Sequence, residues 1–139
     1  MSRADPIPTV TFFVNGEGMR GGRLNEGLTS ARFLGSVLTA PHYRFYSVRD
    51  EFPGLYPVAD NEGAFIAGEA YEVDYETLRS VFLPREPQEL ELGVIQLADS
   101  RGSLAMRLRQ EHLEGEDVRD ITAEGGWRAY RGLPDPDET

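Results

Sequence analysis

Apolar positions along this chain recur mostly with a period of two. Thr9–Val14 (TVTFFV) is β-branched and aromatic and runs into a glycine cluster, the composition of a strand. Residues 33–39 (FLGSVLT) and Tyr43–Val48 read as two further strands separated by a connection around Pro41. Residues 52–58 hold two prolines and a glycine, which predicts an edge or irregular extended piece, because proline cannot donate to a ladder. Residues 64–73 are the longest strand candidate, and alternation places Phe65, Ala67, Glu69, Tyr71 and Val73 on one face. Residues 90–97 and 103–108 predict a hairpin closed by the turn at 98–102.

A helical period stands out once. In residues 75–83, Leu78, Val81 and Phe82 fall on one helical stripe, with Asp74 as the expected N-cap and Pro84 as the stop. Residues 25–30 predict a short helical turn capped by Asn25, residues 111–118 are a charged helix or loop, and residues 127–130 close the fold. Strands outnumber helices and do not alternate with them. The expected class is α+β or a small β-barrel, with few short helices. It divides into a polar lead at 1–8, one domain at 9–132 and an acidic tail at 133–139 whose composition predicts disorder.

Composition removes whole classes of chemistry. At 139 residues and 15.5 kDa the chain is one ordinary domain. Its 14 basic residues against 24 acidic ones give a net charge of −10, which argues against a nucleic-acid backbone or an anionic membrane as partner. Every basic residue is arginine, so Schiff-base and P-loop lysines are excluded. There is no cysteine, and His42 and His112 are too few for a histidine-built metal site and have no readable triad partners. No metal or cofactor is expected. With no apolar run near ~20 residues and no signal-like start, the expectation is a soluble cytoplasmic protein.

The 16–22 loop spells a literal G-x-G-x-x-G, but the long helix and the later acid of a dinucleotide site do not follow. Two readings remain: backbone N–H groups converging on an anion, or a tight turn. Glu86, between Pro84 and Pro87, is either a general base with a raised pKa at a barrel mouth or a solvated loop carboxylate. Glu69, mid-strand and facing inward, must find partners or neutralise, through catalysis or through a bond to a neighbouring Arg or Tyr. His42 is expected to be exposed, and Trp127 and Tyr130 to be core or lid aromatics.

The order of the segments at 11–28, 31–48, 52–58 and 66–82 resembles the gamma-glutamylcyclotransferase-like superfamily. Residues 119–130 (RDITAEGGWRAY) resemble the closing segment of the C-terminal domain of allophanate hydrolases, usually D-I-T-x-F-G-G-W-R-A-Y, and residues 82–93 and 99–107 resemble the same domain. The resemblance implies a small mixed barrel with a cavity over the glycine loop, whose backbone cradles a small carboxylated substrate. The superfamily loop is usually Y-G-S-L; here Asn15-Gly16-Glu17-Gly18 keeps only the glycine at 16. The cyclotransferase glutamate falls on Arg85 when counted without gaps from Tyr71, with Glu86 beside it. The histidine proposed for the allophanate hydrolase domain is matched by Glu17. The lysine of the Ser-Ser-Lys amidase that accompanies that domain is absent.

Three functions follow from the resemblance. The first is an enzyme on a small carboxylated amide or carbamate-like molecule, with Glu17 or Glu86 moving the proton and Asn15, Gly16, Gly18, Met19, Arg20 and Glu69 contacting substrate. The second is a cyclotransferase, with Glu86 as acid/base on a gamma-glutamyl substrate. The third is a non-catalytic accessory module of a separate amidase. Because the chain is acidic, a carboxylated ligand needs a local positive patch, for which Arg20 and Arg23, with Arg44, Arg85 or Arg128, are the candidates.

Overall fold

In the computed structural model, residues 7–59 and 61–137 are described, so most of the 1–8 lead and the end of the 133–139 tail lie outside them. Eight strands form one curled sheet: β1 (Thr9–Val14), β2 (Arg32–Leu38), β3 (Tyr43–Val48), β4 (Phe52–Pro57), β5 (Ala67–Asp74), β6 (Leu90–Gln96), β7 (Gly102–Leu108) and β8 (Val118–Asp120). The order is β2-β5-β1-β7-β4-β3-β8, with β6 paired to β7 off that path. The β1–β7 and β4–β7 pairs are parallel and the rest antiparallel, so the sheet is mixed. A bridge from Thr39 to Leu97, just past the ends of β2 and β6, draws the flanks together. The result is a mixed sheet curled into a half-barrel with few short helices, in the α+β class expected and with the mixed sheet that the resemblance implies. Among the described residues no helix is long and apolar enough to cross a membrane.

The topology leaves a gap at one place. β6 takes one edge of β7 along its whole length. β1 and β4 must therefore share the other edge, β1 through Leu104 and Ala105 and β4 through Arg107. They meet β7 end to end and diverge beyond it. Two apolar clusters flank the divergence. The larger gathers Phe12, Phe13, Phe45, Leu55, Phe82 and Trp127; the smaller gathers Val48, Phe52, Leu90 and Leu108.

Several local expectations change. β4 is an interior strand, not an edge. Its contact to β7 is the single registered pair Leu55–Arg107, which falls between Pro53 and Pro57, so neither proline has to donate there. β5 begins at Ala67, which leaves Phe65 outside it and half exposed. Asp74 caps as expected, its carboxylate accepting from the Thr77 N–H at 2.7 Å. One turn of α-helix, α1 (Tyr75–Thr77), then widens into a π turn over Leu78–Phe82 and tightens to a 3₁₀ turn over Leu83–Arg85.

The widened turn buries Leu78 and Phe82 and leaves Val81 exposed, so the stripe has two members, not three. Pro84 sits inside the last turn. The chain leaves helix at Glu86, which Pro87 forces into an extended conformation (φ −75°, ψ 145°). The 3₁₀ turn Asn25–Leu28 has Leu24 at its N-cap position and no side-chain cap; the Asn25 side chain is used elsewhere. The charged run contributes a 3₁₀ turn, Gln110–His112, and then the edge strand β8. His42 is half-buried against Tyr43, not exposed.

Candidate functional site

A cavity of about 130 Å³ opens where β1 and β4 diverge. Its walls come from both apolar clusters: Phe13 and Val14 at the end of β1, Phe52 and Pro53 at the start of β4, Leu90 of β6 and Met106 of β7. Asn15, Gly16, Glu17 and Gly18 form one rim and Arg85, Glu86 and Pro87 the other. A glycine is required at 16, since a Cβ there would run into the Pro53 ring. Drug-sized sites are roughly 300–1,000 Å³, so this cavity suits a much smaller molecule.

Glu86 stands apart from the other groups that line this cavity. Burial pushes its carboxyl up to about 7, and no other contribution opposes that. No hydrogen-bond donor or cation among the described residues engages it. A carboxyl poised at neutrality and unencumbered can give or take a proton. Opposite it, Asn15 is buried and its Nδ2 has no partner. The N–H groups of Gly16, Glu17 and Gly18 donate to no protein acceptor among the described residues. The cavity is therefore rimmed by residues with unused donors on one side and by Glu86 on the other.

Glu17 is held quite differently. One oxygen accepts from the backbone and side chain of Arg23 at 3.3 and 3.2 Å, and the other from Trp127 Nε1 at 3.0 Å. Burial acts to raise its pKa, but the bonds from Trp127 and Arg23 outweigh this and hold the carboxyl below its ordinary value. Its oxygens are committed to fastening the loop. At neutral pH it stays ionised beside the cavity.

Glu69 is placed behind the loop, fully buried, and reaches none of the cavities. It accepts from Arg20 N at 2.8 Å, Arg20 Nε at 2.8 Å, Arg128 Nη2 at 3.1 Å and Tyr71 Oη at 3.4 Å. Four donors on one carboxylate satisfy a charge that would otherwise be costly to bury. The expectation that Glu69 contacts substrate is replaced by this fastening role. Asn25 adds to it, donating from Nδ2 to Gly18 O at 2.8 Å and Tyr71 Oη at 3.0 Å. Met19 is buried and lines two shallower hollows, and Arg20 lines one of these, so neither reaches the Glu86 cavity.

The sheet and the closing segment thus bring Asn15, Gly16, Glu17, Gly18 and Glu86 together and set Met19, Arg20 and Glu69 behind them. The sequence gives no local sign of the walls Phe52, Pro53, Leu90 and Met106, because they belong to β4 and to a hairpin whose partner strands are distant in sequence. The Trp127–Glu17 bond is signalled only by the closing motif. Glu86 occupies the cavity although ungapped counting favours Arg85. The π turn at Leu78–Phe82 just before them accommodates one residue more than an α-helical turn. Arg85, on the same rim, pairs with Glu26 at 3.1 Å.

Comparison with known proteins agrees with this fold. The sequence model of the allophanate hydrolase C-terminal domain matches residues 10–132. The urea amidolyase of Saccharomyces cerevisiae is 27% identical over 132 residues, which cover 91% of this chain but only 7% of that protein. A uropathogenic E. coli-specific protein of known structure is 32% identical, covers 92% of this chain and 99% of its own, and superposes with a TM-score of 0.84. Kluyveromyces lactis allophanate hydrolase is 26% identical with a TM-score of 0.82, over 89% of this chain and 21% of the enzyme. A gamma-glutamyl cyclotransferase, 10% identical with a TM-score of 0.54, shares the fold.

Proposed function

The chain belongs to the allophanate hydrolase C-terminal domain family, and from that premise we propose that it binds and acts on a small carboxylated amide or carbamate-like molecule in the cavity over the 16–22 loop. The observation that carries this reading is Glu86, unpartnered and raised to about 7 in a cavity rimmed by unused donors. The loop N–H groups and the Asn15 amide receive the substrate carboxylate or carbonyl oxygen. As a water oxygen bonds to the carbonyl carbon, Glu86 takes one of its protons and then gives it to the departing nitrogen as the C–N bond breaks, so that acid and amine leave and Glu86 returns to its starting state. Glu17 does not share that task; with Trp127 it holds the loop in place. The cavity's small volume favours a compact carbamate-like substrate over a gamma-glutamyl amine, although Glu86 would serve the cyclotransferase reaction equally well.

The test is turnover of a panel of urea-derived carboxylates and gamma-glutamyl amines by the parent and by Glu86→Gln. Removing a general acid/base is expected to lower kcat/KM by about 10²–10⁴-fold. Absence of turnover by the parent on every member would sink the catalytic reading.

One observation favours a second reading. The position matching the family's histidine is Glu17, whose oxygens are already engaged. If the cavity binds such carboxylates without converting them, the chain is an accessory module. Co-purification with a separate amidase would then be the discriminating result.

A further inference from the structure

We propose that the Arg20 guanidinium and the Ser36 hydroxyl form a second ligand site, selective for small carboxylates and separate from the Glu86 cavity, which Asp137 fills from within the chain. The Asp137 carboxylate accepts from Arg20 Nη2 at 3.0 and 3.1 Å and from Ser36 Oγ at 2.6 Å. One carboxylate is thus gripped from two elements, the glycine loop and strand β2.

Arg20 is set for this role by contacts that do not involve Asp137. Its Nε donates to Glu69 at 2.8 Å, and its guanidinium carbon lies over the Phe33 ring, 4.3 Å from the centroid. A planar guanidinium fixed along one edge presents the other edge ready-made, which lowers the ordering cost of binding a carboxylate.

The occupant is weakly held. Residues 133–137 are all exposed. Apart from Asp137, the segment's hydrogen bond to the body of the protein is Leu133 N–H to Arg128 O at 2.9 Å. Such a segment opens locally at little cost. Next to it lies a hollow of about 440 Å³ lined by Arg20, Arg23, Arg128 and Arg131 with Trp127, and also by Glu17, Asp50 and Glu51, so its arginines are balanced against carboxylates except where Asp137 is displaced. That hollow shares Gly16 and Glu17 with the Glu86 cavity. A carboxylate that displaces Asp137 therefore engages the loop that forms the cavity rim. The inference stands on this geometry alone and does not depend on the role of Glu86.

Acetate reproduces the aspartate side chain and is the probe. The ¹⁵N-labelled full chain is titrated with sodium acetate, and with sodium chloride at equal ionic strength, while the Ser36 amide and Arg20 Nε–H resonances are followed. In Asp137→Asn, acetate is expected to move both resonances saturably, at concentrations roughly fivefold lower than in the parent, the competition an exposed ion pair can exert. Ser36→Ala in the same background is expected to weaken acetate binding several-fold while the fold is retained. An acetate response no larger than that of chloride, equal responses in parent and Asp137→Asn, or no effect of Ser36→Ala would each overturn the proposal.

Discussion

The same side-chain chemistry serves opposite purposes at three glutamates around one loop. Glu69 receives four donors and fastens the loop from behind, Glu17 receives three and ties the loop to Trp127, and Glu86 receives none among the described residues and stays titratable near neutrality. This has a consequence for stability. Folded Glu86 keeps its proton up to about pH 7, whereas the unfolded chain releases it near 4.5. The folded state binds more protons across that window, so stability is greatest below it and falls as pH rises through it. Glu86→Gln is expected to flatten this dependence and to be more stable than the parent at pH 8, by about 2 kcal/mol once the solvent reaching the cavity is allowed for, as read by urea melts. Glu69→Gln is expected to cost about 2–3 kcal/mol, less than for a wholly buried pair because Arg20 and Arg128 keep 30% and 18% of their side chains exposed. Gly16→Ala would press the Pro53 ring and is expected to cost about 1–3 kcal/mol and to narrow the cavity, seen as weaker ligand binding.

Among the elements, the turn after β5 decides where the Glu86 carboxyl goes. If it were regular α-helix, Val81 would share the buried face with Leu78 and Phe82. In the π turn it does not, and Phe82 packs edge-on against Phe12 with ring centroids 5.1 Å apart. Thermal or urea melts are expected to show Leu78→Ala and Phe82→Ala costing about 3–5 kcal/mol and Val81→Ala within about 0.5 kcal/mol. A comparable loss at Val81 would contradict the π turn. This is also where the sequence was least legible. Apolar spacing announces a helix and Asp74 announces its start, but a widened turn has no side-chain signature, and the end is set by Pro87 acting on Glu86, not by Pro84. The strands were legible because β-branched alternation and the glycine breaks agree. The interior position of β4 was not, because it depends on a single parallel pair to β7 lying between two prolines.

For the molecule as a whole, the curled sheet places the cavity at the seam between two apolar clusters, where two strands share one edge of a third. Neither cluster nor seam follows from local pattern, because β1 and β7 meet across some ninety residues, as Phe12 and Leu104 do. The composition, by contrast, was informative from the start: without lysine or cysteine and with two histidines, the chain has carboxyls for the proton transfer we propose, and arginines and backbone amides for the proposed anion binding. Site-resolved NMR titration of the Glu86 side-chain carboxyl carbon in the folded protein tests this account most directly. A midpoint close to pH 7 is expected, with Glu17 titrating below the ordinary glutamate range. A Glu86 midpoint between about 4 and 5, among the solvated surface carboxylates, would contradict it.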